Sequence, residues 1–254
     1  MGKFINKLKS LFIGRGYRSR GSASEQIKII EHFEKYFGKA EYKLVGDTDG
    51  IDIYVIPATR EHACNTLFTV GMSVRPMTVP EGMEGYEYCE LMMHLPFYWN
   101  IDHKPENYWP VEWLRSIAEY PATLDTWLFY GTLLPLAPLG ETASSDALDG
   151  AAEGYTYRQS DSFSANTRMS RWAVGATRML PAESERDAFI TVDVGDNKLV
   201  YCLTLLPLHE DEARFLHRHG AEQLFDLFDD HEISDIIIPA RKSVFTVDEP
   251  AVQL

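Results

Sequence analysis

Acids, histidines and cysteines are the side chains through which this chain could do chemistry, and their spacing limits what that chemistry is. Asp229, Asp230, His231 and Glu232 run consecutively. Clustered carboxylates favour cations, so the run suits a metal ion or the basic side chains of a partner; at a helix end it also suits plain solvated surface. His217 and His219 stand two apart on an expected helix and point to different sides, whereas helical metal pairs need a spacing of about three or four. Asp47-Thr48-Asp49-Gly50-Ile51-Asp52 lacks the later ligands and the glutamate of a calcium loop and reads as a turn. Cys64, Cys89 and Cys202 are scattered and odd in number, which gives neither a disulfide framework nor a metal-site spacing and fits a reducing cytoplasm. Cys89 and Cys202 lie in apolar strand patterns as small core residues.

No nucleophile elbow, phosphate loop or dinucleotide fingerprint is present: Gly14-Arg15-Gly16 is followed by Ser19 where the third glycine would stand, and no strand precedes it. A carboxylate pair for acid–base work can be picked at will from 38 acids and carries no weight without geometry. The expectation is no catalytic residue, no metal and no cofactor. Aromatic and acidic residues are the alternative: Tyr108, Trp109, Asp125, Trp127 and Tyr130 gather around one expected helix and strand in the mixture that recognition grooves use.

The elements that must position these residues follow from hydrophobic period. Ser24 opens a helix over 24–37 with Ile27, Ile30, Phe33 and Phe37 on one face, closed by Gly38. Tyr42 and Leu44 alternate against Ile51, Ile53 and Val55 across Asp49-Gly50, a hairpin signature, with Pro57 as a stop. Strands are expected at 66–70, ending at Gly71, and at 86–95, halted by Pro96. Residues 109–120 read as a helix with Pro110 in its first turn and Pro121 beyond its end. Apolar strand-like sequence resumes at 126–134. Residues 139–157 have no period and read as an inserted surface loop. Strands are expected at 188–192 and 199–206 about Gly195-Asp196-Asn197, the second ended by Pro207. A helix follows at 210–228, broken at Gly220, and then a short strand at 236–239. Met72, Met77, Met92 and Met93 read as core. Strands outnumber helices and adjoin in sequence, so the expected class is α+β, a mixed and largely antiparallel sheet with packed helices.

At 254 residues the chain accommodates one large domain. Residues 1–23 form a basic amphipathic arm, with Phe4, Leu8, Leu11 and Phe12 at helical spacing, able to touch a membrane surface weakly. Residues 24–254 form the domain. No apolar run approaches the ~18 residues of a membrane helix. Six bases and no acid fall within residues 1–20, so the body stands at −20, six units below the chain's −14. Such a field repels nucleic acid and favours a basic protein partner.

The order of blocks carries a resemblance. Residues 52–57 (DIYVIP), 67–80 (LFTVGMSVRPMTVP), 88–96 (YCELMMHLP), 106–110 (ENYWP) leading into the helix that ends Glu119-Tyr120-Pro121, the strand begun by Asp125-Thr126-Trp127-Leu128, and 205–212 (LLPLHEDE) resemble the bacterial suppressor-of-fused family, in that family's order, from near Ile29 to near Val244. Val70 and Val74 depart from it, standing where the family tends to have Ser and an acid. The resemblance implies a non-catalytic, cytoplasmic protein-binding domain. The expected role is an immunity protein that neutralises a cognate toxin of a bacterial polymorphic toxin system, the −14 charge suiting a basic, nuclease-like toxin domain. The alternative is an adaptor or sequestering module that binds an extended peptide by strand addition. The expected partner-binding residues are Tyr108, Asp125, Trp127 and Tyr130, with Asp229, Asp230 and Glu232.

Overall fold

A computed structural model describes residues 22–44, 50–134 and 163–246. The expected basic arm, apart from its last two residues, and the expected inserted loop at 139–157 lie outside them, as do Asp47 to Asp49 of the first hairpin turn.

Helix α1 (Ala23–Phe37) is capped two residues before the expected serine: Ser22 is the cap, its hydroxyl accepting the Glu25 N–H, one of the donors a helix start leaves unsatisfied. Ser24 falls inside the first turn. Ile29, Phe33 and Phe37, spaced by four, form its buried line, and Gly38 ends it at φ 108°.

One eight-stranded sheet follows: β1 (Tyr42–Leu44), β2 (Asp52–Ile56), β3 (Cys64–Val70), β4 (Cys89–Pro96), β5 (Leu133–Leu134), β6 (Arg171–Gly175), β7 (Thr191–Gly195) and β8 (Lys198–Leu208). Their spatial order is β1-β2-β3-β4-β8-β6-β5, with β7 beside the first half of β8. Every pairing is antiparallel except β4 with β8, which gives the mixed, mostly antiparallel sheet expected. The expected first hairpin pairs Tyr42 opposite Val55 and Leu44 opposite Ile53.

Alternation along the central strands sorts the core. Leu91, Met93, Leu95, Leu203 and Leu205 face one side, where they meet Trp109, Val111, Leu114 and Ile117 of α2 (Pro105–Leu124). Met92 and Cys202 face the other, against α1 and Phe189 of α3 (Glu183–Phe189), while Leu206 and Leu208 meet α4 (Glu210–His219) and α5 (Ala221–Asp230). The four methionines flagged from sequence are all buried.

Several boundaries differ from those expected. Helix α2 runs through both Pro110 and Pro121. An interior proline costs about 3 kcal/mol, which the buried face of this 20-residue helix offsets. Asp125, at φ 55°, caps α2 and reverses the chain, so the stretch expected as a strand over 126–134 is turns up to β5. Ala188 belongs to α3, and the strand expected at 188–192 starts at Thr191. The strand begun at Tyr86 in sequence starts at Cys89. Pro207 does not end β8: β4 pairs only as far as Thr204, so no strand needs the missing N–H. The expected strand at 236–239 reduces to one bridge, Ile236 beside His94. The break at Gly220 between α4 and α5 is as predicted.

Candidate functional site

The chain from Asp125 to Thr132 links the end of α2 to β5 and displays three of the expected partner residues. Leu128 is its buried anchor. Asp125 is exposed but tied down, accepting a hydrogen bond from the Thr78 hydroxyl. Trp127 stacks on Phe129 at 5.8 Å, and Phe129 meets Tyr86 and Tyr201 edge-on at 4.7 and 5.6 Å, a half-buried aromatic shelf. Tyr130 turns to a different neighbour: its ring meets Phe225 of α5 edge-on at 5.5 Å, and it remains 40 % exposed. The loop's conformation decides this, since Gly131 at φ 85° donates to the Val174 carbonyl and a side chain there would press on Ala221.

Helix α5 supplies the acids. Phe225, Leu224 and Phe228 are buried, which leaves Glu222, Asp226, Asp229 and Asp230 exposed. Partial burial pushes the Tyr130 hydroxyl above its ordinary value, and Glu222, Asp226 and Asp229 push it the same way against the opposing pull of Arg178. Tyr130 and the α5 acids therefore form one continuous acidic and aromatic face. Arg178 anchors it. Its guanidinium reaches Asp229 and buried Asp235 at 2.8 Å each, donates to the Ile233 carbonyl and lies 5.6 Å from the Phe228 ring centre. Asp229 is thus partly committed inside the chain, whereas Asp226, Asp230 and Glu232 are exposed. Glu232 sits at φ 54° in the turn after α5.

Tyr108 does not join this face. It lies in the first turns of α2, 4.8 Å from the His103 ring, and Asp125 caps the far end, about 25 Å away at the rise of a helix. The single groove expected around one helix and strand is therefore two places.

Two acids of the LPLHEDE block, Glu210 and Glu212, which sequence reasoning left without a task, are buried. Glu212 is fully buried and takes both guanidinium nitrogens of Arg241, together with the N–H groups of His209 and Val244. Burial pushes its carboxyl up, but Arg241 and His209 outweigh that and hold it below the ordinary value. Asp211 accepts from the Ser243 hydroxyl. The block clamps the segment 241–244 onto α4. Its signal was the acid-rich first turn of a helix, which sequence cannot distinguish from solvated surface.

The described residues contain no group of three or more His, Cys, Asp and Glu placed to hold a metal. His217 and His219 are exposed, and all three cysteines are buried and free, with burial raising the thiols. No described helix is long and apolar enough to cross a membrane.

Comparison with known proteins places this geometry. The family model described as suppressor of fused protein (SUFU) matches residues 47–242. Similar solved structures include the Sufu–Fu complex, at 15% identity over 87% of this chain and 92% of that one with a TM-score of 0.55. A suppressor of fused homologue from Neisseria gonorrhoeae matches at 13% identity over 89% of this chain and 100% of that one, TM-score 0.55. Drosophila Suppressor of Fused matches at 16% identity over 87% of this chain, TM-score 0.54; this chain spans about half of it, 51%. The curated proteins gave no match.

Proposed function

The chain belongs to the suppressor-of-fused family, and on that premise we propose that it acts by binding another protein rather than by catalysing a reaction. The observation that carries this is the face where Tyr130 stands on Phe225 among Glu222, Asp226 and Asp229. A rigid aromatic with its polar end exposed supplies contact area at little entropic cost, and acids around it select a basic partner and speed its approach. Trp127 and Phe129, on the same loop, form a separate aromatic shelf against Tyr86 and Tyr201. Support also comes from a protein of similar fold, solved as the Sufu–Fu complex.

The partner fitting this field is a basic toxin domain, and the chain's role is that of an immunity protein in a bacterial polymorphic toxin system, acting in the cytoplasm. Co-expression of the chain with the toxin domain it binds restores growth under this reading. Growth arrest that persists despite measurable binding overturns it.

A second reading has an observation of its own. Strand β1 lies at an edge of the sheet, paired among the described residues with β2 alone, and Tyr42 there is 44 % exposed. An extended peptide adding to that edge would make main-chain hydrogen bonds and depend little on salt. Binding abolished by proline at Lys43 and indifferent to the α5 acids would favour it.

A further inference from the structure

Three sulfur atoms meet at the turn that follows β3. Cys89, the first residue of β4, places its Sγ 3.6 Å from Met77 Sδ and 4.0 Å from Met72 Sδ. Met72 opens the short 3-10 turn after Gly71, and Met77 comes from the chain that leaves it. The turn is held by the residue next to the thiol: the N–H groups of Gly71, Met72 and Ser73 all donate to Glu90. Cys89 is 1 % exposed and each methionine 8 %. A cavity of about 30 Å³, lined by Met72 and Met77 with Ile51, Ala118 and Pro121, adjoins the two methionines. It has room for one water-sized body.

An ion bonded at about 2.3 Å to three sulfurs in one plane holds neighbouring sulfurs about 4.0 Å apart. The spacings of 4.0 and 3.6 Å stand at that value and just inside it, and methionine adjusts through its rotatable bonds. A thiolate with thioethers is a soft donor set, which selects monovalent copper over hard cations. Charge makes the same choice. Burial raises the Cys89 thiol well above its ordinary value, Glu90 pushes the same way, and the free thiol keeps its proton at neutral pH. Exchanging that proton for a monovalent cation leaves the charge of the buried site unchanged, whereas a divalent ion would add a positive charge among apolar side chains.

We infer that Cys89, Met72 and Met77 form a binding site for a soft monovalent cation, Cu(I). Cys89 Sγ releases its proton to solvent and forms one copper–sulfur bond, and the two uncharged thioethers complete a three-sulfur shell. Met77 Sδ also accepts the Leu128 N–H at 3.4 Å, which leaves its second lone pair for the ion. The site uses none of the residues of the α5 face.

Anaerobic competition of the full chain against bicinchoninate for Cu(I), with ascorbate as reductant, tests the inference. The wild type is expected to take up one Cu(I) per chain, to show an all-sulfur shell in X-ray absorption, and to bind Zn(II) far more weakly. Its affinity rises about tenfold per pH unit, because one proton leaves as the ion enters. Met72→Leu with Met77→Leu conserves apolar volume and is expected to weaken uptake at least about tenfold, and Cys89→Ala to abolish it, with folding verified by thermal melts. The shell and the pH dependence are read on the wild type, so the test survives a variant that does not fold. No uptake by the wild type, a shell containing nitrogen, affinity independent of pH, Zn(II) held as firmly, or uptake unchanged in either folded variant would each overturn it.

Discussion

Glu90 shows at the residue scale what an apolar strand pattern conceals. It sits within β4 with no exposed surface and, among the described residues, no salt bridge, yet five donors converge on its carboxylate: the hydroxyls of Thr69 and Ser73 and the N–H groups of Gly71, Met72 and Ser73. Charge-assisted bonds from backbone replace the lost water and hold the turn after β3. Glu90→Gln turns one acceptor into a donor that faces donors, so a loss of about 2–3 kcal/mol is expected in urea unfolding. His94 makes a second case. Burial lowers its pKa to about 4, with Asp235 pulling the other way, and its Nε2 lacks a partner while Nδ1 meets the Thr66 hydroxyl at 3.0 Å. The unfolded chain, with an ordinary histidine near 6.5, takes up the proton first on acidification, so stability falls as pH drops from about 6.5 to 4, by roughly 3 kcal/mol for this ring. His32 and His209, also lowered by burial, act in the same direction, as does Glu212, whose depressed pKa makes its contribution one that acid removes. Unfolding midpoints at pH 7 and pH 4.5 should show the fall, reduced in His94→Leu; equal stability at both values would refute it. None of these partners is visible in sequence, because each comes from a different strand or turn.

Elements were legible where period and punctuation agreed. Asp-Gly between two alternating runs predicted the first hairpin, Gly195-Asp196-Asn197 the β7–β8 connection, and Gly220 the break between α4 and α5; all three segments have the positive φ such residues permit wherever they are described. Boundaries failed where packing overrode punctuation. Pro121 read as a helix stop but is buried inside α2, and the apolar run 126–134 read as a strand, whereas only Leu133–Leu134 pairs as one and the rings before it pack on side chains, Trp127 on Phe129 and Tyr130 on Phe225. Gly71, read from sequence as the end of a strand, has both a conformation and a close approach that favour glycine: φ is 115°, and a Cβ there would lie 2.3 Å from the Gly50 carbonyl oxygen. Gly71→Ala is therefore expected to lower stability by at least about 2 kcal/mol through strain and displaced backbone. A thermal melt unchanged by that substitution would show that the β2 and β3 ends have room to separate.

On the scale of the whole molecule, class and family were readable early, because the matched blocks are mostly core: the turn around Gly71, the central strand β4, and the acids that clamp 241–244. The partner residues were only partly readable. Asp125, Trp127 and Tyr130 do share one loop, and Tyr130 does reach the α5 acids, but sequence gave no sign that Arg178 ties Asp229 down or that Tyr108 lies at the opposite end of α2. Binding through the acidic face is the central claim, and a quantitative pull-down tests it most directly: tagged wild-type chain and the variant Glu222→Lys, Asp226→Lys, Asp230→Lys, each incubated with native extract at low and moderate salt. The account predicts one basic protein recovered in equimolar amount by the wild type, less as salt rises, and lost with the variant. The same protein retained equally by the variant, or no stoichiometric partner at either salt, would contradict it.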